Sequence, residues 1–420
     1  LKRGTLEADY SVQVTIIRDL CLEGKLGAAF WLRKKMIQKG VVPDVLVHNC
    51  LVNALCKSGD IDKANWLIRE MLDIGPPPNC ATYNTFIKGY CLVNNVDKAL
   101  DLVSSMANSG IRPNRVTCNI LVHALCNRGL LGDAMKLLKE ILDDGNDSAT
   151  SSLITSTILI DGCFKSGDIV RARGIWDEMH RKNTQVDVVV YNVLIRGFGL
   201  SVNMNFAYLY FCDMLKRGFQ PDVFTYNTLI SGLCKEGKLN EACYIHCVML
   251  GDGVAPDQIS YKTIIQGLCV HGRVIKANEF LLCMLEKSMV PETIMWNLII
   301  DGYGRYGDLN NAFSVRDRMS SFGVAPNVYT YNSLIFAQVK GGNIVDAYSI
   351  IKEMLLNGLS PDMITYNLLI GAACNMGHIR FAWQLFDEIL RWGYEPDIIT
   401  YTQLIKGYCM RGNIKAAVAL

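Results

Sequence analysis

Apolar residues recur along the chain at helical spacing. Tyr226, Leu229, Ile230, Leu233 and Cys234 stand at i, i+3, i+4, i+7 and i+8, which draws one apolar stripe down a helix. Gly237 follows, and a glycine just past a helix supplies the left-handed turn that ends it. A second stripe has the same character: Ile344, Ala347, Tyr348, Ile351, Met354 and Leu355 stand at i, i+3, i+4, i+7, i+10 and i+11. It runs toward Gly358 and then Pro361-Asp362, where proline cannot continue a helix. Two short helices joined by a tight turn, a helical hairpin, are predicted.

The hairpin repeats. An alanine marks each copy: Ala29, Ala64, Ala99, Ala134, Ala172, Ala207, Ala242, Ala277, Ala312, Ala347, Ala382 and Ala417. Every step is 35 residues except Ala134 to Ala172, which is 38. The three extra residues fall in the polar stretch Asp143 to Ser152, expected as an enlarged loop. Cys21, Cys56, Cys91 and Cys126 keep the same period, and so do Met179, Met214, Met249 and Met284. The turn glycine recurs as well, with Asn94 and Val202 as exceptions. Units are expected to start at Tyr10, Val45, Cys80, Arg115, Leu153, Val188, Val223, Gln258, Thr293, Val328, Met363 and Ile398. They make eleven full copies and one truncated copy over residues 10–420, with residues 1–9 as the tail of a preceding one. The chain opens and closes inside a unit, so it is expected to be a piece of a longer array.

A length of 420 residues alone would suggest two or three domains. The repeat predicts instead one continuous array. A lone hairpin cannot bury its apolar faces, so neighbours must stack into an all-α solenoid. The small residue at the tenth place (Gly89, Gly197, Gly232, Gly302) and the periodic alanine are expected to let the two helices of a unit approach closely. Cysteine and methionine on the stripes read as adaptable core filler.

Composition narrows the function. Half the residues are apolar and 20% are charged, as in a folded chain. The formal charge is +2, so no basic excess nominates nucleic acid. No run of 18 apolar residues exists, so no membrane span is expected. The 16 cysteines fall one to a unit in so many copies that they argue for a reduced compartment, not a disulfide framework. Gly302, Gly304 and Gly307 match G-x-G-x-x-G, but inside a predicted helix with no strand before it. Cys243, His246 and Cys247 cluster on one second helix without an evident fourth ligand. No catalytic constellation, metal or other cofactor is expected.

The stretch Asp222-Val223-Phe224-Thr225-Tyr226-Asn227-Thr228-Leu229-Ile230-Ser231-Gly232-Leu233-Cys234-Lys235-Glu236-Gly237 closely resembles the pentatricopeptide repeat consensus. Ile399 to Cys409 and the Met363 unit do so too, and the uniform 35-residue length is similar to the P-class of that family. The resemblance implies a right-handed superhelix that binds single-stranded RNA on its concave face, one base per unit. It implies that the fifth residue of a unit and the residue closing it read the base. It also implies that the second residue is an apolar wedge against bases, and that a basic thirteenth residue approaches phosphate.

Carried onto this chain, the fifth-place readers are Asn49, Asn84, Asn119, Thr157, Asn192, Asn227, Asn297, Asn332, Asn367 and Thr402. The closing readers are Asn79, Asn114, Ser152, Asp187, Asp222, Asp257, Asn327, Asp362 and Asp397. The wedges are Leu46, Val116, Ile154, Val189, Phe224, Ile259, Ile294, Tyr329, Ile364 and Ile399, and Ser11 and Ala81 are weak ones. The phosphate residues are Lys57, Lys165, Lys235, Arg305 and Lys340. Val14/Asp44 and Lys262/Glu292 depart from the pattern. An Asn amide offers both donors and an acceptor, matching the mixed edge of a pyrimidine. Each assignment has a structural alternative. Asp, Asn and Ser at the closing place are preferred helix N-caps. The fifth-place asparagines could form an inter-unit ladder, and the basic residues could be merely solvated.

The implied code gives 5′-NYYCGUUNYUUR-3′, where Y is a pyrimidine, R a purine and N any base. The expected function is sequence-specific RNA binding in organellar RNA metabolism (stabilisation, processing, splicing or translation), in a plant mitochondrion or alternatively a chloroplast. RNA-processing proteins are expected as recruited partners, with no membrane and no small-molecule substrate. The competing readings are a solenoid that grips proteins, and an enzyme whose catalytic domain lies beyond Leu420. The chain shows no H-x-E with P-C-x-x-C deaminase signature.

Overall fold

The computed structural model describes residues 2–73, 76–142, 153–201 and 203–420. Among these residues stand 24 helices and no strand, an α-solenoid of helical hairpins. Contacts group the chain into two compact parts, residues 1–201 with 206–219 and residues 202–205 with 220–420. In the first part, first helices run Val45–Lys57, Cys80–Leu92, Arg115–Asn127, Leu153–Lys165 and Val188–Leu200. In the second they run Val223–Lys235, Gln258–Val270, Thr293–Arg305, Val328–Lys340, Met363–Asn375 and Ile398–Met410. A second helix follows each, as Leu239–Gly251 follows Val223–Lys235. Within each part a first helix packs on its own second helix and on the first helix of the next unit.

Local chemistry sets the ends. Asp222 is extended at φ −102°, and its carboxylate accepts the Thr225 N–H at 2.8 Å while the Thr225 hydroxyl accepts the Asp222 N–H at 3.3 Å. This reciprocal capping box satisfies two N–H groups that a helix start leaves orphaned. Asn79, Asn114, Asp257, Asn327 and Asp362 form the same box, and the side chains of Asp44, Asp187 and Asp397 accept the third N–H without the reciprocal bond. Glu292, one methylene longer, makes no side-chain cap bond. At the other end Gly237 takes φ +74°, and the Lys238 N–H reaches back to the Leu233 carbonyl at 2.9 Å.

The core is the predicted stripe. Tyr226, Leu229, Ile230 and Leu233 are fully buried, and so is the alanine of nearly every unit. A tyrosine at the fourth place ties the first helix to the far end of its partner helix. Tyr191 donates to Asp213 at 2.7 Å, Tyr226 to Asp252, and Tyr331 accepts from Asn357 at 2.7 Å. Trp296 replaces the tyrosine in its unit and donates its indole N–H to the Pro291 carbonyl at 3.2 Å.

Two expectations change. The tenth-place glycine does not serve its own hairpin. A methyl at Gly89 would lie 2.2 Å from Sγ of Cys56, at Gly162 2.3 Å from Cys126, and at Gly267 2.3 Å from Cys234. Each cysteine belongs to the first helix of the preceding unit, so the glycine lets successive first helices approach. Gly197 meets Phe164 in the same manner, whereas Gly302 meets Val274 of the preceding second helix. The periodic cysteine is thus the partner of a periodic glycine. Burial raises the thiols of Cys56, Cys126 and Cys234 to about 11, so they remain protonated and inert. At the amino end, no helix break separates residues 2–9 from Tyr10. The helix Lys2–Leu22 runs through, because no proline or glycine interrupts Thr5 to Asp9. The expected loop at Asp143 to Ser152 and the turn residue Val202 lie outside the described residues.

Candidate nucleic-acid interface

Second-place and fifth-place residues lie i, i+3 apart on one helix face. At the second place each first helix leaves an apolar side chain in solvent. Leu46, Val116, Ile154, Val189, Phe224, Ile259, Ile294, Tyr329, Ile364 and Ile399 are between 47% and 61% exposed. Capping and core packing do not need an apolar residue there.

The fifth-place asparagines are buried or half-buried, from 5% exposure at Asn297 to intermediate at Asn49, Asn119, Asn227 and Asn367. Several join a network that crosses from one unit to the next. Asn332 donates from Nδ2 to Asp362 at 3.1 Å, and its Oδ1 accepts the Thr365 hydroxyl at 2.6 Å. Asn84 repeats this with Asn114 at 3.3 Å and Thr117 at 2.6 Å, and Asn297 with Asn327 at 3.2 Å and Thr330 at 2.6 Å. Asn367 reaches both oxygens of Asp397, at 3.1 and 3.2 Å, and accepts from Thr400 at 2.7 Å. Asn119 accepts from Thr155 at 2.8 Å; its closing partner Ser152 lies outside the described residues. The structural alternative of an inter-unit ladder is therefore physically present. It does not exhaust the amide. Two N–H groups and two lone pairs are available, and in Asn332 the ladder uses one of each.

Asn49 and Asn227 sit differently. Asn227 donates to Asp257 at 3.3 Å, but its Oδ1, like that of Asn49, is buried without a partner. The closing carboxylates are well supported. Burial pushes the Asp257 carboxyl up, yet hydrogen bonds from the Ser260 backbone and hydroxyl and from Asn227 hold it below its ordinary value. The Thr400 N–H lowers Asp397, with the Thr400 hydroxyl and Asn367 adding to it against desolvation. Both are anionic at neutral pH and can only accept.

The third-place residue escaped the sequence-based set. Thr82, Thr117, Thr155, Thr225, Ser260, Thr330, Thr365 and Thr400 are fully buried, at 0% exposure. The signal was visible in the sequence as a hydroxyl at a fixed register in eight units. One departing unit also gains a reason. Lys262 forms an ion pair with Glu292 at 3.3 Å, replacing the amide and its acceptor by opposite charges. Thr157 turns its hydroxyl to its own Leu153 carbonyl at 2.6 Å, and Thr402 does so to Ile398 at 2.6 Å.

The five basic residues divide. Lys57 and Lys235 are exposed. Lys165 pairs with Asp161 at 2.7 Å and reaches Asn127 at 2.6 Å, Arg305 pairs with Asp301 at 2.8 Å, and Lys340 bonds the Arg305 carbonyl. Gly302 and Gly304 lie within the helix Thr293–Arg305, and a methyl at Gly304 would meet Ala337 at 2.8 Å, so that glycine serves packing. His246 is buried with its ring edge-on to Tyr261 and Phe280. Burial, with Lys287 nearby, lowers its pKa to about 4. Among the described residues no group of three His, Cys, Asp or Glu could hold a metal ion, and no helix is long and apolar enough to cross a membrane.

Comparison with known proteins follows the same period. Residues 43–92, 78–127, 151–200, 186–235, 221–270, 291–340, 326–375 and 361–410 match the PPR repeat family, and residues 14–41, 116–146 and 259–289 match the PPR repeat. A pentatricopeptide repeat-containing protein of Arabidopsis thaliana is 71% identical over 167 residues. That match covers 40% of this chain and 28% of the relative's length. The crystal structure of the pentatricopeptide repeat protein PPR10 from maize superposes with a TM-score of 0.50 at 21% identity, covering 97% of this chain and 67% of that one. The same maize protein in complex with an 18-nt psaJ RNA element gives a TM-score of 0.45 at 21% identity, covering 97% and 68%. With matches over most of its length and the hairpin repeat they require, the chain belongs to the pentatricopeptide repeat (PPR) family.

Proposed function

We propose that this chain binds single-stranded RNA by sequence, one base per unit, and performs no chemistry of its own. One observation carries the reading. Unit after unit leaves an apolar side chain half in water, one helical turn from the fifth-place residue. Where that residue is a laddered asparagine such as Asn332, its amide still has an unspent donor and acceptor. Apolar wedges suit base faces, and the amide suits a base edge. The closing residue then selects. A carboxylate such as Asp362 accepts only, which suits the N3–H of uracil. A closing amide such as Asn327 also carries N–H donors, which suits the bare N3 of cytosine. The reading order is 5′-NYYCGUUNYUUR-3′, in plant organellar RNA metabolism, in the mitochondrion or alternatively the chloroplast. With acidic closing residues and several basic thirteenth places already paired, base contacts supply more of the affinity than counterion release, so binding weakens only shallowly with salt.

The test is a titration at stated salt with an RNA carrying that site beside one with G in place of each U. Binding of the first at least tenfold tighter, about 1.4 kcal/mol, supports the reading. Equal binding of both removes the base code. Binding of neither removes the RNA reading and turns the search to a protein partner.

A further inference from the structure

The third-place hydroxyl varies in step with the reader of the preceding unit. Each of the eight fifth-place asparagines is followed, at the third place of the next unit, by threonine or serine. The fifth-place residues that are not asparagine and have a following unit are Val14, Thr157 and Lys262. They are followed by Val47, Val190 and Met295. Helix capping does not require this match. Asp44 and Asp187 cap their helices ahead of Val47 and Val190 without any third-place hydroxyl. What distinguishes the two groups is the amide one unit earlier.

The geometry supplies the reason. In the Asn84, Asn119, Asn297, Asn332 and Asn367 junctions the hydroxyl donates to the asparagine Oδ1 at 2.6–2.8 Å. An amide can flip, exchanging its oxygen for its NH2. The Thr365 hydroxyl accepts from the Asp362 N–H at 3.1 Å and has two acceptors for its one proton, Asn332 Oδ1 at 2.6 Å and Asp362 Oδ1 at 2.9 Å, of which the amide oxygen is the nearer. The hydroxyl therefore holds the amide oxygen toward itself and turns the NH2 toward the closing residue and the base. We propose that the third-place hydroxyl of each following unit is a positioning residue for base selection. A unit's base would then be set by three side chains, the last borrowed from its neighbour. The inference rests on the RNA-reading proposal above. Two junctions show the weaker form. Thr82 and Ser260 keep only the contact to the closing residue, at 3.1 and 2.9 Å, which Thr117, Thr330, Thr365 and Thr400 also make, and the oxygens of Asn49 and Asn227 are without a partner.

Thr365→Val tests this, since valine keeps the shape and the chain itself uses it at Val47 and Val190. RNAs varied only at the Asn332 position are titrated against wild type, Thr365→Val and Thr365→Ser. Preference for U over the other bases should fall about three- to tenfold in Thr365→Val. It should recover in Thr365→Ser and stay unchanged at the Asn297 and Asn367 positions. Affinity lost equally for all four bases, or preference retained, overturns the inference while the RNA reading survives. A wild type with no preference at any position overturns both. Should Thr365→Val not fold, the reciprocal exchange decides. Thr157→Asn with Val190→Thr should give that unit a clear U preference, and Thr157→Asn alone a weaker one. Equal preference in the single and double variants overturns the inference.

Discussion

Gly267→Ala would show how tightly the spacing of first helices is controlled. The added methyl would sit 2.3 Å from Sγ and 2.6 Å from Cβ of Cys234. Carbon and sulfur need about 3.5–4.0 Å, so something must move by more than about 1 Å. The second contact is with a Cβ, which cannot swing away as a side-chain tip can. The two first helices must therefore part. Overpacking of this kind costs about 1–3 kcal/mol, and replacing a helical glycine by alanine returns up to about 1 kcal/mol. A net loss of about 1–2 kcal/mol is expected, read as a lower denaturant midpoint. Cys234→Gly alone should cost about 2 kcal/mol, from the lost thiol packing and the glycine itself. Combined, the two should cost less than their sum by at least about 1 kcal/mol, because the new methyl enters the vacated space. Because the proposed readers ride on the first helices, Gly267→Ala should also weaken RNA binding beyond its effect on stability. A neutral Gly267→Ala, or an additive double variant, would refute the close-approach account.

Three other outcomes follow from named contacts. Asp362→Asn keeps a capping oxygen, so its denaturant midpoint should move by less than the ~1 kcal/mol typical of a lost cap, while that unit's base preference shifts from U toward C in titrations. A preference that stays with U would show the closing place to be a cap only. Tyr329→Ala removes a side chain that is 53% exposed. Stability should change within about 0.5 kcal/mol and RNA binding should weaken by about 1–3 kcal/mol, with a smaller loss for Ile364→Ala. Unchanged binding in both would remove the wedge role. Asp257 and Asp397 are held below the ordinary carboxylate range in the fold. The native state thus binds fewer protons, so their contribution is complete above the unfolded value of about 3.9 and disappears as pH falls through the folded one. The stability gap between wild type and Asp257→Asn/Asp397→Asn should close below about pH 4, and a gap constant across denaturant curves from neutral to acid pH would contradict the assignment.

The linear chain determined everything that depends on neighbours three or four residues away. The stripe from Tyr226 to Cys234, the cap at Asp222 and the turn at Gly237 are such features, because helical periodicity and capping act within one or two turns. The family resemblance came from the same short motifs. The tertiary structure decided what lies one unit, some 33 to 35 residues, further along. Gly267 looked like a device for its own hairpin until the stacking register placed it on Cys234. Lys340 looked free until stacking brought the Arg305 carbonyl of the preceding unit to it. Thr365 drew no notice in the sequence, and only packing showed its hydroxyl on the amide of Asn332. Such contacts depend on how far one helix slides and rotates against the next. That register is settled by the summed packing of many side chains, not by any short stretch of the chain.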